Sequence, residues 1–107
     1  MPARHRKHEL AQALRAGRLV ELNKKIEHYM FYTYVLKSLK DGKLYIGWTN
    51  DLKNRFSFHC AGKVKATQDR LPLEIIYYEA CKDKTRAISR EKYFKTGFGR
   101  KFLKNRI

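Results

Sequence analysis

Acidic side chains are scarce in this chain: ten Asp and Glu stand against 25 Lys and Arg in 107 residues, a formal net charge of +15. Self-repulsion of that size opposes compaction and is not needed for folding, so it points to a polyanionic partner. RNA, DNA and an anionic membrane surface meet that description, with a small ribosomal RNA-binding protein as the plainest case. Cysteine is limited to Cys60 and Cys81, which lie in no metal-ligand spacing and give no sign of a zinc site. No stretch approaches the roughly 20 apolar residues that a membrane span requires. The N-terminus also lacks the apolar run of a secretory signal, so a cytoplasmic protein with reduced thiols and no membrane partner is expected. No internal repeat or low-complexity run appears. What is present is a hydrophobic fraction of 43% and an aromatic fraction of 13%, enough for the core of one small domain.

The chain divides near Met30. Residues 1–29 hold seven Lys and Arg and three Glu, with little β-branched or aromatic content. Leu10, Leu14, Val20 and Ile26 recur loosely at helical spacing, interrupted by Gly17, so a basic helical extension is expected ahead of a domain over residues 30–107. Residues 31–37 are aromatic and β-branched, Lys40-Asp41-Gly42 supplies a turn, and Leu44 to Trp48 reads as the returning strand of a hairpin. On that second strand Leu44, Ile46 and Trp48 face one way, with Tyr45 and Gly47 opposite. Thr49-Asn50-Asp51 offers capping residues for a helix over about 51–61. A basic loop at 62–72, a third strand at 73–80, a helix over about 84–95 capped by Asp83, and a short last helix at 100–106 complete the order. Three strands in the order ββαβαα cannot form a doubly wound sheet. They predict an α+β fold, a small three-stranded antiparallel sheet flanked by helices.

Several residues in this frame carry chemistry. Tyr45, two places before Gly47, sets a phenol beside bare backbone that a phosphate could approach; half-buried structural packing is the plainer role. Tyr34 lies on the partner strand. Arg55 and His59 are spaced i, i+4, so their heads share a helix face, and Leu52 and Phe56 on the same stripe place them at the border of the core. Arg can grip a phosphate bidentately, and His can pass a proton near neutral pH. Glu91 lies beside the apolar positions Ala87, Ile88 and Phe94 of a basic helix. It is suited either to a divalent cation or to an ion pair with Arg90 or Lys95.

Taken together, Tyr34, the intact Tyr45-Ile46-Gly47, Arg55, His59 and Glu91 in Arg-Glu-Lys closely resemble the GIY-YIG endonuclease family, in particular its small stand-alone bacterial members. The first half-motif departs from the family, with Tyr32-Thr33-Tyr34 where Gly-Ile-Tyr would stand. The spacings from Tyr34 to Tyr45, Arg55 and His59 are kept. The loop after the Arg/His helix lacks the further Tyr or His of many relatives and reads Lys63-Val64-Lys65-Ala66-Thr67. The resemblance implies a three-stranded antiparallel sheet surrounded by helices. It also implies phosphodiester hydrolysis with one Mg²⁺ or Mn²⁺ held by Glu91, Tyr34 and Tyr45 acting on the attacking water, Arg55 stabilising the phosphorane, and His59 assisting proton transfer. Either Tyr could be the base, with the metal or Lys43, Lys63 or Lys65 lowering a phenol pKa that is ordinarily about 10.

The expected function is therefore a metal-dependent endonuclease of little sequence specificity, with DNA favoured over RNA and repair or recombination as the setting. Lys43, Lys63, Lys65, Lys95 and the backbone at Gly47 are the expected nucleic-acid contacts. A non-catalytic DNA- or RNA-binding module is the competing class. It accounts for the charge but not for Glu91, since a carboxylate repels phosphate unless a metal intervenes. If five or more phosphates are neutralised, log Kd for duplex DNA should rise with log salt at a slope of about 4.5 or more. A fluorescence-anisotropy titration giving a flat salt response would refute the polyanion reading.

Overall fold

The computed structural model describes residues 29–107, and the helical extension expected over 1–29 lies, but for Tyr29, outside the described residues. The strands are β1 (Phe31–Ser38), β2 (Leu44–Thr49) and β3 (Leu73–Cys81). The helices are α1 (Leu52–Cys60), α2 (Lys84–Phe94) and α3 (Gly97–Lys104). All pairing is antiparallel, in the order β2-β1-β3, so the first strand in sequence is the central one in space. The fold is the α+β arrangement that the order of elements predicts.

The central position explains the composition of β1. Its residues from Tyr32 to Leu36 are all buried, because helices cover both faces of the sheet. One face carries Tyr34, Leu36 and Leu73, packed by Leu52 and Phe56 of α1. The other carries Val35, closed by Phe94 of α2 and by Leu103 and Phe102 of α3. Alternation along a single strand thus feeds two cores. On β3 the pairing passes from Val35–Tyr77 to Leu36–Ile75, leaving Ile76 as an extra residue. This bulge lets both Ile76 and Tyr77 pack with the second core. Arg90 closes that core from outside, with its guanidinium 4.7 Å from the Phe94 ring and a two-pronged pair with Glu79 at 2.7 and 3.1 Å.

Local chemistry sets most of the boundaries. Asp51 caps α1 by accepting from Asn54 N at 3.1 Å, and Asp83 caps α2 by accepting from Thr85 N at 2.8 Å. The hairpin connection runs over residues 39–43 rather than closing in a two-residue Asp-Gly turn. Gly42, at φ 73°, takes the left-handed conformation that this longer loop needs. Ser38 Oγ ties the loop together, accepting from Lys40 N and Asp41 N and donating to Arg70 O at 2.6 Å.

The last helix begins three residues earlier than expected, because Thr96 caps it by accepting from Gly99 N at 3.2 Å. The helix thus takes in two glycines that precede its expected start, and one of them permits the packing. A Cβ at Gly99 would collide with the Tyr93 carbonyl, whereas one at Gly97 meets nothing within 4 Å. Gly99→Ala should therefore cost at least about 2 kcal/mol. Gly97→Ala should be neutral or stabilise by up to about 1 kcal/mol. Equal denaturation midpoints for the two variants would contradict this account of the α2–α3 contact.

Candidate active site

On the α1 side of the sheet, Tyr34 and Gly47 are register partners on β1 and β2. The Tyr34 ring lies across this glycine: a Cβ there would stand 2.6 Å from Tyr34 Oη and 2.7 Å from Cζ. The bare backbone expected to receive a phosphate at Gly47 is thus covered, on the face where a side chain would lie, by the phenol of its neighbour. Glycine is needed because a tyrosine, not a ligand, fills the space.

Below that phenol is the centre of the site. Tyr34 Oη is 2.9 Å from His59 Nε2, and His59 Nδ1 is 2.8 Å from Thr67 Oγ. His59 and Thr67 are fully buried and Tyr34 is 1% exposed. His59 was expected at the border of the core, but its whole ring is enclosed because α1 lays this face against Tyr34 and Tyr45. The Tyr45 and His59 ring centres are 5.0 Å apart. Thr67 escaped the sequence reading altogether. It sits in a basic loop whose turn, with Thr67 N donating to Val64 O at 3.1 Å, carries it inward. It occupies the segment in which an additional Tyr or His was missing. No local pattern marks it, since its partner is made by tertiary folding.

Charge falls on this cluster from two sides. Burial raises the Tyr34 pKa above its ordinary value. Arg55 opposes that shift, while Tyr45 and Glu91 add to it. Among the described side chains this lowering influence comes from Arg55 and not from Lys43, Lys63 or Lys65. The Arg55 guanidinium is itself held more firmly in its charged form, chiefly by Tyr34 and also by Tyr45. Burial, and then Arg55, depress the His59 pKa to about 4. The ring is therefore neutral at pH 7, with one nitrogen to donate and one to accept.

Glu91, on α2, is half-buried and pairs with Lys95 at 3.8 Å, one of the two ion-pair partners expected; Arg90 goes to Glu79 instead. Lys43, Lys63 and Lys65 are exposed, as is Lys95. Lys43 lines a separate cleft with Arg100 and Lys104, and Lys63 lies over Phe58, 5.6 Å from the ring centre. Among the described residues no three His, Cys, Asp or Glu side chains gather into a metal cage. A single carboxylate suits Mg²⁺ or Mn²⁺, which keep water ligands and share substrate phosphates, better than it suits zinc.

The family model of the GIY-YIG catalytic domain matches residues 30–105. The chain belongs to the GIY-YIG family. That membership carries a nuclease-type function for the domain. The chain is 44% identical over 72 residues to a UPF0213 protein of Bacillus pumilus, covering 66% of this chain and 72% of that one. It is 48% identical over 65 residues to a UPF0213 protein of Streptococcus pyogenes, covering 60% and 70%. A solution NMR structure of a UPF0213 protein from Bacillus halodurans is 30% identical, with a TM-score of 0.45 over 71% of this chain and 83% of that one. Among the described residues no helix is long and apolar enough to cross a membrane.

The buried imidazole makes stability depend on pH. An unfolded chain takes up a proton on His59 near its ordinary pKa of 6.5, whereas the folded chain resists until about 4. The unfolded state therefore binds more protons between these values. The stability this gives is complete above pH 6.5 and is lost as pH falls towards 4. Thermal melts across this range should fall more steeply for the wild-type GIY-YIG domain than for His59→Gln. Parallel curves would show that His59 is not the group responsible.

Proposed function

We propose that this protein is a metal-dependent endonuclease that hydrolyses DNA phosphodiesters with little sequence specificity. The observation that carries the reading is the Tyr34–His59 hydrogen bond at 2.9 Å, with Arg55 and Glu91 both acting on the same phenol. A core Tyr–His pair needs neither a guanidinium nor a carboxylate beside it. A site that moves a proton, binds a phosphate and balances charge needs all of them.

In this reading a phosphate oxygen pairs with Arg55, whose fork suits a planar two-point contact and whose charge meets the negative charge that builds on the phosphorane. Tyr45, half-buried beside His59, orients the attacking water. The water oxygen bonds to phosphorus as its proton passes to Tyr34 Oη and the Tyr34 proton passes to His59 Nε2. Thr67 holds the other ring nitrogen and so fixes which one accepts. Pairing of Arg55 with phosphate removes the second cause of the low His59 pKa, so substrate binding makes this base stronger. The P–O bond to the leaving sugar then breaks, the sugar oxygen takes a proton from solvent water, and one phosphate monoester end and one hydroxyl end result. Glu91 would hold Mg²⁺ or Mn²⁺, which when bound supplies positive charge at the phosphoryl oxygen.

The exposed lysines and the net charge of +15 support binding to the backbone, which gives affinity without sequence choice. Repair or recombination, where cutting is directed by DNA shape, is the setting that suits such contacts. A binding module that has lost catalysis is the alternative, motivated by the altered Tyr32-Thr33-Tyr34. Two observations count against it. Thr33 faces α2, where its hydroxyl donates to Ala87 O at 2.9 Å, and Tyr32 packs near Tyr78 with ring centres 6.3 Å apart. Both changes thus serve packing and leave the Tyr34–His59 pair in place.

Supercoiled plasmid should be nicked in Mg²⁺ or Mn²⁺ and untouched in EDTA. Arg55→Ala should slow cutting by about 10²- to 10³-fold. Glu91→Ala should abolish it while binding persists or tightens. Undiminished cutting by Glu91→Ala would remove the metal role, and binding without cutting by the wild type would favour the retired-enzyme reading.

A further inference from the structure

Where β2 runs into α1, an open groove of about 390 Å³ is lined by Phe31, Trp48, Thr49, Asn50, Arg55 and Lys84. The reaction described above uses only Arg55 of these. The volume falls within the range of small-ligand sites, roughly 300–1,000 Å³. Its walls have a particular composition. Phe31 and Trp48 supply aromatic surface and are only half-buried, Thr49 and Asn50 supply short polar groups, and among the described residues no carboxylate lines it. Cations come from two different helices. Arg55 is shared with the catalytic cluster, and the Lys84 ammonium stands 5.4 Å from the centre of the Trp48 ring. A flat aromatic group joined to an anion is the ligand that uses all of these together. A nucleotide is such a ligand.

We propose that the Trp48 groove is a stacking subsite for an unpaired nucleobase adjoining the phosphate held by Arg55. Bases within a duplex have both faces covered by their neighbours, so a base enters the groove only from a single strand, a frayed end or a branch point. The subsite thus selects DNA with an unpaired nucleotide at the cut without choosing its identity, since every base offers a π-face. Thr49 and Asn50 lie where a base edge or sugar would pass, and the exposed Lys84 side chain, which lies over the Trp48 ring in the free protein, swings off it to meet the next phosphate along the strand. The inference rests on the reading of Arg55 as the phosphate-binding residue and narrows the substrate of that same site.

Trp48 is the only tryptophan in the chain, so its emission reports on this groove alone. The test is made in EDTA on the full-length Glu91→Ala protein, so that neither metal nor cleavage enters the readout. The probes are a single-stranded thymidylate oligomer of about ten nucleotides, the same backbone with abasic sites, and a blunt duplex. Saturable quenching by the thymidylate strand and little by the other two is expected. Trp48→Leu should weaken thymidylate binding about five- to a hundredfold, followed by anisotropy of a labelled strand, and leave duplex affinity near its original value. Equal quenching by the abasic strand, or equal loss of duplex and single-strand affinity, would overturn the subsite. The emission comparison, made with Trp48 in place, decides the matter even if Trp48→Leu fails to fold. A protein that never cuts can still pass this test, and one that cuts can fail it, so the two readings fall separately.

Discussion

Tyr34 Oη and His59 Nε2 meet 2.9 Å apart where neither ring has appreciable contact with solvent, and the surroundings follow from that enclosure. A buried phenol must find a partner, and a buried imidazole must find two or leave a nitrogen unsatisfied. Thr67 supplies the second. Gly47 gives the phenol room to cross the neighbouring strand. Arg55, at the edge of the enclosure, keeps the pair in contact with the outside, because its charge is held by the phenol while its side chain lines an open groove. Remove the burial and each of these residues loses its reason for being where it is.

The sheet separates two kinds of work. The face covered by α1 carries polar contacts that a core built for stability alone would avoid. The face covered by α2 and α3 is packed with aromatic rings, Phe94 and Phe102 lying 5.8 Å apart, and is closed by the Arg90–Glu79 pair. Neighbouring residues of one strand, Tyr34 and Val35, belong to different faces. A substitution at one thus disturbs the polar cluster under α1, and a substitution at its neighbour the aromatic core under α2 and α3.

The parts of this protein legible in its sequence are those governed by local rules. Asp51 and Asp83 announce their helices, the alternation at Leu44 to Trp48 gives the facing of β2, and the α+β order follows from the run of elements. Arg55 and His59 share a helix face because of their spacing alone. What could not be read depends on distant partners. Thr67 matters only because folding carries a loop beneath α1. Gly47 is explained by a ring on another strand, so a reading from its own neighbours assigned it to a phosphate. The start of α3 lay ahead of its expected place in a stretch with two glycines, of which Gly99, by lacking a side chain, is the one that lets two helices touch. The basic residues were visible as a total, but their division among a hairpin cleft, an aromatic ring and an ion pair belongs to the surface.

The hairpin connection and the loop after α1 are distant in sequence yet fastened to each other. Ser38 Oγ donates to Arg70 O, Leu39 N donates to Pro72 O at 2.8 Å, and Asp41 pairs with Arg70 at 3.4 Å. Thr67 hangs from this same loop. The two segments therefore act as a strut, whose outer end is an exposed turn and whose inner end steadies an imidazole. Lengthening or nicking the turn at residues 39–43 would slacken the strut without touching any group named in the chemistry. The turn is thus not an ordinary surface loop: through Arg70 and Pro72 it is joined to the segment that carries the partner of the His59 ring.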